Sequence, residues 1–269
     1  MNSLITFDPH LRVGDPDLGR NPTFVSHGGL DGSRPLCRSK FLHGCSAMGA
    51  ATVVGLAPPP TGGLFVPHTL LAIDATLAAR AAEPIEIFNH SLRTFFFAEL
   101  IAKAKRLAHD VEAVYVAAVL HDVGLTAEHM SDTERFEVDG ANLARQILER
   151  HGVLGSRAEL IWDAIALHDQ GGIARWKPAE VKLVNAGVSA DFGGSLHLMQ
   201  RDDIIAVLAT APRGNFITVF LEAVAAVAKQ KPQATGNSFV TDVGYRMVPG
   251  FHLSNFCDDV RTDPFSAYT

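Results

Sequence analysis

The strongest constraint in this 269-residue sequence is a run of eight apolar residues that ends in a histidine and an aspartate. Residues 113–120 read AVYVAAVL and carry no charge, and a helix that is hydrophobic all round is buried on every side. His121 and Asp122 follow at once, and burying both without a partner costs several kcal/mol. A metal ion would pair with them. The alternative is an aspartate bonded to the turn at Gly124 and a histidine satisfied in the core.

Two further predicted helices direct a ligand-type side chain toward the same interior. His90 shares a helix face with Thr94 and Ile101, and Asp191 lies on the apolar face that contains Val184. Two histidines and two carboxylates form a donor set that suits a borderline divalent metal. The candidate ligands are His90, His121, Asp122 and Asp191.

The chain divides into three parts by composition. Residues 1–66 hold 7 of the 14 prolines and predict an irregular N-terminal arm. Residues 67–231 have helical periodicity and predict an all-α core, and residues 232–269 have none and predict a C-terminal tail. Helices are predicted at 67–82, 89–108, 111–123, 135–151, 157–169, 178–192, 202–210 and 216–230.

Charge and cysteine usage exclude several classes of function. The chain has 23 basic and 29 acidic residues, so its net charge of −6 disfavours nucleic acid and anionic membranes as partners. No run is long and apolar enough to span a bilayer, and three scattered cysteines make no disulfide framework. We expect a cytoplasmic protein with a small-molecule substrate. The long arm and tail favour a homo-oligomer over a monomer.

The order of the candidate ligands resembles the H…HD…D signature of the HD-domain superfamily of metal-dependent hydrolases. Five segments are similar, more narrowly, to its cyanamide hydratase branch, and the resemblance covers about residues 67–194. These segments are HSLRT at 90–94, LHDVGLT at 120–126, FEVDGA at 136–141, WDAIALH at 162–168 and GVSAD at 187–191.

The resemblance implies an all-α HD domain with a single metal. In that branch one zinc activates a water molecule that adds across the nitrile of cyanamide to give urea. Carried over by position, the ligands are His90, His121, Asp122 and Asp191. Zinc is the metal that the branch implies, with iron(II) or manganese(II) as alternatives.

Two departures bear on the reaction. Dinuclear HD proteins place a histidine where this chain has Phe136, which favours one metal, although His129 or His151 could replace that ligand. Many phosphohydrolases of the superfamily carry a lysine where this chain has Leu125. A phosphohydrolase acting on a nucleotide or other phosphate ester is therefore the second candidate, with Lys103, Arg135, Arg175 and Lys177 as its nearby cations. A degenerate HD protein that serves as a binding module is the third.

Three residues are predicted to act in catalysis: Asp122, His168 and Arg93. Hydration of a nitrile needs a proton on nitrogen, which His168 or Asp122 could supply. His168 faces the core and could also be a fifth ligand or a buried histidine bonded to a carbonyl. Arg93 is expected to orient a carboxylate near the metal or to pair on the rim of the site.

Overall fold

The structure is a computed structural model that describes residues 65–255 together with residues 257 and 261. Regular structure within these residues is entirely helical, which confirms the all-α prediction. The predicted arm lies outside them except for its last two residues. The ten α-helices of the described part are α1 (Leu70–Ala82), α2 (Ile85–Lys105), α3 (Val111–Leu120), α4 (Phe136–Arg150), α5 (Ser156–Ala166), α6 (Gly171–Ala174), α7 (Ala179–Asp191), α8 (Arg201–Thr210), α9 (Phe216–Gln230) and α10 (Phe239–Met247).

Helix α3 is the centre of the fold. All eight residues from 113 to 120 are fully buried, and α1, α2, α4, α5 and α7 pack around them. The Asp110 side chain starts this helix by accepting a hydrogen bond from the Ala113 amide at 3.0 Å. The prediction of a buried central helix is thus confirmed, and its end delivers His121 and Asp122 into the interior.

Helices α2 and α7 approach each other closely because Gly187 has no side chain. A Cβ atom at this position would lie 2.2 Å from the carbonyl oxygen of Thr94 in α2. No other residue fits at that distance. The contact brings His90 of α2 beside Asp191 at the end of α7.

A second, smaller apolar cluster covers the C-terminal side of the fold. It is built from α9, α10, Leu125 and Phe136. A buried ion pair fastens α4 to the end of α9: the Lys231 ammonium donates to the Asp139 carboxylate, and Lys231 is fully buried.

Helix α10 differs from the prediction of a C-terminal tail without helical periodicity. Ser238 caps it by accepting a hydrogen bond from the Val240 amide at 3.1 Å, and Val240 is buried in the second cluster. Nine residues are too few for the apolar positions to establish a period in the sequence, so packing decides this helix.

Three predicted helix ends shift in a way that affects the site. Helix α2 begins at Ile85 rather than residue 89, directly after Pro84. Helix α3 ends at Leu120, and a short 3-10 turn follows over Val123–Leu125. Helix α5 ends at Ala166, so His168 lies beyond it. Among the described helices, none has the length and hydropathy needed to cross a membrane.

Candidate metal centre

The side chains of His90, His121 and Asp122 converge at the end of α3. The Nε2 atoms of the two histidines lie 3.3 Å apart. The Asp122 Oδ2 atom lies 3.2 Å from Nε2 of His121 and 3.6 Å from Nε2 of His90. All three residues are at most 1 % exposed, and their donor atoms all lie within 4.8 Å of one another. The sequence prediction placed these three residues together, and the structure does so.

The hydrogen bonds of the two imidazoles leave Nε2 free on each ring. Nδ1 of His121 faces the Ala118 carbonyl at 2.8 Å, and Nδ1 of His90 faces Asp191 Oδ2 at 2.7 Å. Because both partners are acceptors, we assign the ring hydrogen to Nδ1 and the lone pair to Nε2. Two lone pairs then face each other beside the Oδ2 atom of Asp122, which has no hydrogen-bond partner among the described residues. This set of donors without hydrogens fits a divalent cation.

Burial and charge set the protonation of this cluster. Burial lowers the pKa of His90, and the Asp191 carboxylate only partly offsets it. Burial also acts to lower the pKa of His121, but the neighbouring carboxylate outweighs it and the net shift is upward. For Asp122, burial opposes ionisation, yet His121 holds the pKa well below its usual range. An ionised Asp122 beside a neutral His90 is the form in which both residues bind metals, and a cation would take the place of the proton that the raised pKa favours on Nε2 of His121.

Asp191 lies behind His90 rather than among the three converging donors. Its Oδ2 atom accepts from His90 Nδ1, and both carboxylate oxygens accept from Arg93, at 2.8 Å to Nε and to Nη2. Arg213 Nη1 adds a bond of 2.6 Å to Oδ1. These four bonds use the lone-pair directions of the carboxylate, so in this arrangement Asp191 orients His90. Its role as a fourth ligand stays a prediction.

Arg93 is fully buried, and its partners account for its position. Besides Asp191, its Nη1 atom donates to the carbonyls of Ala211 and Pro212, at 3.0 and 3.2 Å. The guanidinium therefore joins α2, the end of α7 and the turn after α8. Of the two roles expected for Arg93, this geometry corresponds to orienting a carboxylate beside the site.

His168 lies against the other carboxylate oxygen of Asp122. Its Nε2 atom is 3.8 Å from Asp122 Oδ1, and its ring meets that of His121 edge to face at 4.6 Å. Nδ1 donates to the Ile165 carbonyl at 2.7 Å, and burial lowers the pKa of His168 to about 4. His168 is thus bonded to a carbonyl and also presents a free Nε2 atom to the centre.

The part of the chain that holds the three converging donors is similar to a known protein family. Residues 87–189 match the model of the HD domain family, and this range contains His90, His121 and Asp122. The chain carries an HD domain. Two cyanamide hydratases of Saccharomyces cerevisiae, DDI2 and DDI3, are each 26 % identical to it over 198 residues, which are 72 % of this chain and 85 % of each relative.

These matches support the resemblance to the cyanamide hydratase-like branch of HD domains that the sequence motifs predicted. The family and the donor cluster together support a metal-dependent enzyme of HD type. The matched range ends at residue 189, so Asp191 lies just beyond it.

Of the four cations expected for a phosphate pocket, two form ion pairs and a third lines a different cavity. Arg135 pairs with Glu137 and with Asp169, and Lys177 donates to Asp163 at 2.7 Å. Lys103 lines a cavity of about 400 Å³ on the opposite part of α2, together with Glu99 and His109. The residue at the lysine position of the phosphohydrolases, Leu125, is buried in the second apolar cluster.

Sequence reasoning missed several residues around the centre. Glu83, in the turn between α1 and α2, is buried, and neither carboxylate oxygen has a hydrogen-bond partner among the described residues. Burial, reinforced by the charge of Asp122, raises the pKa of Glu83 well above its usual range. Arg213 was also missed, and nothing in the sequence around either residue marks it. Three phenylalanines beside His90 complete the set: Phe192, Phe216 and Phe220.

Proposed function

We propose that the protein is a hydratase that adds water to a small nitrile-type substrate such as cyanamide, giving urea. The observation that carries the proposal is the convergence, at one buried point, of two imidazole Nε2 atoms and a carboxylate oxygen that has no hydrogen-bond partner among the described residues. The similarity to two proteins named as cyanamide hydratases supports the choice of substrate class.

The residues present fit one divalent metal. His90, His121 and Asp122 would hold it, with Asp191 as the predicted fourth ligand, and zinc is the metal we propose. When bound, such a metal supplies activated water at neutral pH, because it lowers the pKa of water from 15.7 to about 7. Arg93 and Asp191 keep the imidazole of His90 in the orientation that its Nε2 atom needs.

The proton route follows from the free nitrogen of His168. Addition forms one C–O bond and breaks one C–N π bond, and the nitrogen then takes a proton. His168 is neutral at pH 7 and carries its lone pair on Nε2, beside Asp122. We propose that Nε2 accepts the proton lost by water and passes it to the substrate nitrogen. A second proton shift, from oxygen to nitrogen, converts the resulting isourea to urea.

The surroundings favour a small uncharged substrate. Aromatic rings line His90, and the two arginines nearest to it, Arg93 and Arg213, are committed to Asp191. A polyanion would therefore meet no uncommitted cation among these neighbours. The cytoplasmic location and the homo-oligomer expected from the sequence remain part of this proposal.

The test is metal content and urea formation in matched variants. We expect the purified chain to hold about one zinc and to form urea from cyanamide. His121→Ala removes a donor and is expected to lose both the metal and the activity. The control is His151→Ala, because His151 is a half-buried histidine that pairs with Asp74 on α1, away from the centre.

Three results would contradict the proposal. Full metal content in His121→Ala would show that the metal lies elsewhere. Phosphate release from nucleotides, with no urea from cyanamide, would assign the chain to the phosphohydrolases. A chain that retains no metal under any loading condition would point to a binding module.

A further inference from the structure

Three phenylalanine rings stand over His90 and contact one another. Phe216 stacks on the imidazole with the ring centroids 4.7 Å apart, and Phe192 meets its edge at 5.6 Å. Phe220 lies 6.1 Å away and packs against both other rings. We call Phe192, Phe216 and Phe220 the aromatic cover.

The members of the aromatic cover differ sharply in exposure. Phe216 is fully buried and Phe220 is 6 % exposed, whereas Phe192 is 47 % exposed. His90 itself is fully buried. A single side chain, Phe192, thus contacts a donor of the metal centre on one side and solvent on the other.

The main chain at Phe192 is fixed, and its surroundings leave room for the ring. The Gly193 amide bonds to the Ala190 carbonyl at 2.9 Å, and the Gly194 amide bonds to the Ser189 carbonyl at 2.8 Å. This is the paired pattern of a Schellman motif, and Gly193 takes the required positive φ of 97°. An added Cβ atom at Gly193 would meet none of the residues that the structure describes within 4 Å, so these residues leave open space next to Phe192. Half-exposed side chains change rotamer within nanoseconds.

We propose that Phe192 is the entrance residue of the site and sets the size of substrate that it admits. This inference rests on the proposed function for the identity of the substrate. Small neutral molecules pass when the ring turns toward the open space, and larger substituents collide with Phe216 and Phe220 behind it. Phe192 controls the entry of the substrate and the size that is admitted, whereas the metal donors and His168 take part in the reaction.

The first experiment needs neither metal nor activity. Diethyl pyrocarbonate acylates a neutral imidazole at a nitrogen lone pair, so peptide mass spectrometry of the full metal-free chain reports access to His90. We expect acylation of His90 to be severalfold faster in Phe192→Ala than in the wild type, and slower in Phe192→Trp. His151, which is half-buried beside Asp74 and away from the centre, is the internal control whose rate stays constant.

The matched control variant is Ile217→Ala. Ile217 is 49 % exposed and follows Phe216 in α9, so it resembles Phe192 in exposure and lies nearby. We expect it to leave the acylation rate of His90 unchanged. Equal rates in the wild type, Phe192→Ala and Phe192→Trp would overturn the proposal, as would acceleration by Ile217→Ala alone.

The second experiment measures specificity on the metal-loaded enzyme. For dimethylcyanamide relative to cyanamide, we expect the ratio of kcat/KM to rise about tenfold in Phe192→Ala, the scale of one or two methylene groups in an apolar pocket. An unchanged ratio would overturn size selection at this residue. The two proposals can fail separately. If no variant forms urea but acylation of His90 is faster in Phe192→Ala, the proposed hydratase activity is refuted and Phe192 is still the entrance residue.

Discussion

The helices that carry the donors and the helices that cover them are held together by different forces. On the donor side, α2, α3 and α7 pack against one another, and Gly187 of α7 lies so close to Thr94 of α2 that no larger residue fits there. On the covering side, α9 and α10 pack through large aromatic rings and are joined to α4 by one buried ion pair. Close packing holds the donor helices in place, whereas the cover depends on a charge and on rings that can rotate.

The largest effect is expected on the covering side. Lys231→Met leaves the buried carboxylate of Asp139 without its counter-charge, and breaking a buried pair in this way costs about 3–5 kcal/mol in the free energy of unfolding. Urea denaturation of the wild type and the variant measures this difference in the free energy of unfolding. The control is the double variant Lys231→Met/Asp139→Asn, which removes both charges and should recover most of the loss. A single variant as stable as the wild type would mean that the ion pair does not fasten the cover.

A smaller effect is expected on the donor side. Asp191→Asn weakens the bonds that hold His90 and should lower the affinity for zinc about 10–100-fold, the usual cost of losing an outer partner of a ligand. Titration of the metal-free chain with zinc measures it. Asp163→Asn is the control, because Asp163 pairs with Lys177 away from the centre. If Asp191→Asn loses zinc as completely as His121→Ala does, then Asp191 is itself a ligand, as the sequence predicted.

The smallest effect is expected for the pH dependence of stability. It comes from Glu137 of α4, the helix between the donor side and the covering side. Burial, together with the charge of Asp169, raises the pKa of Glu137 to about 7, although Arg135 opposes the shift. The folded state therefore binds the proton more tightly than the unfolded state, and this stabilisation is present at acid pH and lost as the pH rises through 7.

Glu137→Gln mimics the protonated acid and tests this assignment. Between pH 5 and pH 8, we expect the free energy of unfolding of the wild type to fall relative to the variant by roughly 1–3 kcal/mol. Both chains are measured without metal, since the ligands add their own pH dependence. Parallel pH curves would mean that Glu137 titrates normally.

The parts of the site that were predictable are those that follow from periodicity. The apolar run before His121 could form only a buried helix, and His90 shares the inward face of α2. Position along a helix determines which way a side chain points, so the sequence was sufficient to bring these donors together. The same reasoning placed Asp191 near the centre, but it could not distinguish a donor to the metal from a partner of His90.

The parts that were missed depend on packing between distant segments. Arg213, in the turn between α8 and α9, and Phe216, at the start of α9, reach the site from more than 90 residues after His121, and no local pattern indicates such a contact. Glu83 was missed because a charged residue before a proline is typical of an exposed turn, whereas this one is buried. Helix α10 was missed because its stability comes from the second apolar cluster.

The position of the donors at the end of α3 has an electrostatic consequence. The aligned peptide dipoles of a helix place about half a negative charge at its C-terminal end, where the free carbonyl groups lie. Around α3 this field is little screened by water, because the helix is buried over residues 113–120. The carboxylate of Asp122 adds a second negative charge at that end of the helix. A cation would relieve the repulsion between the two. The backbone of α3 would therefore contribute to cation binding along with the side chains, and substitution of a donor would leave part of this attraction in place.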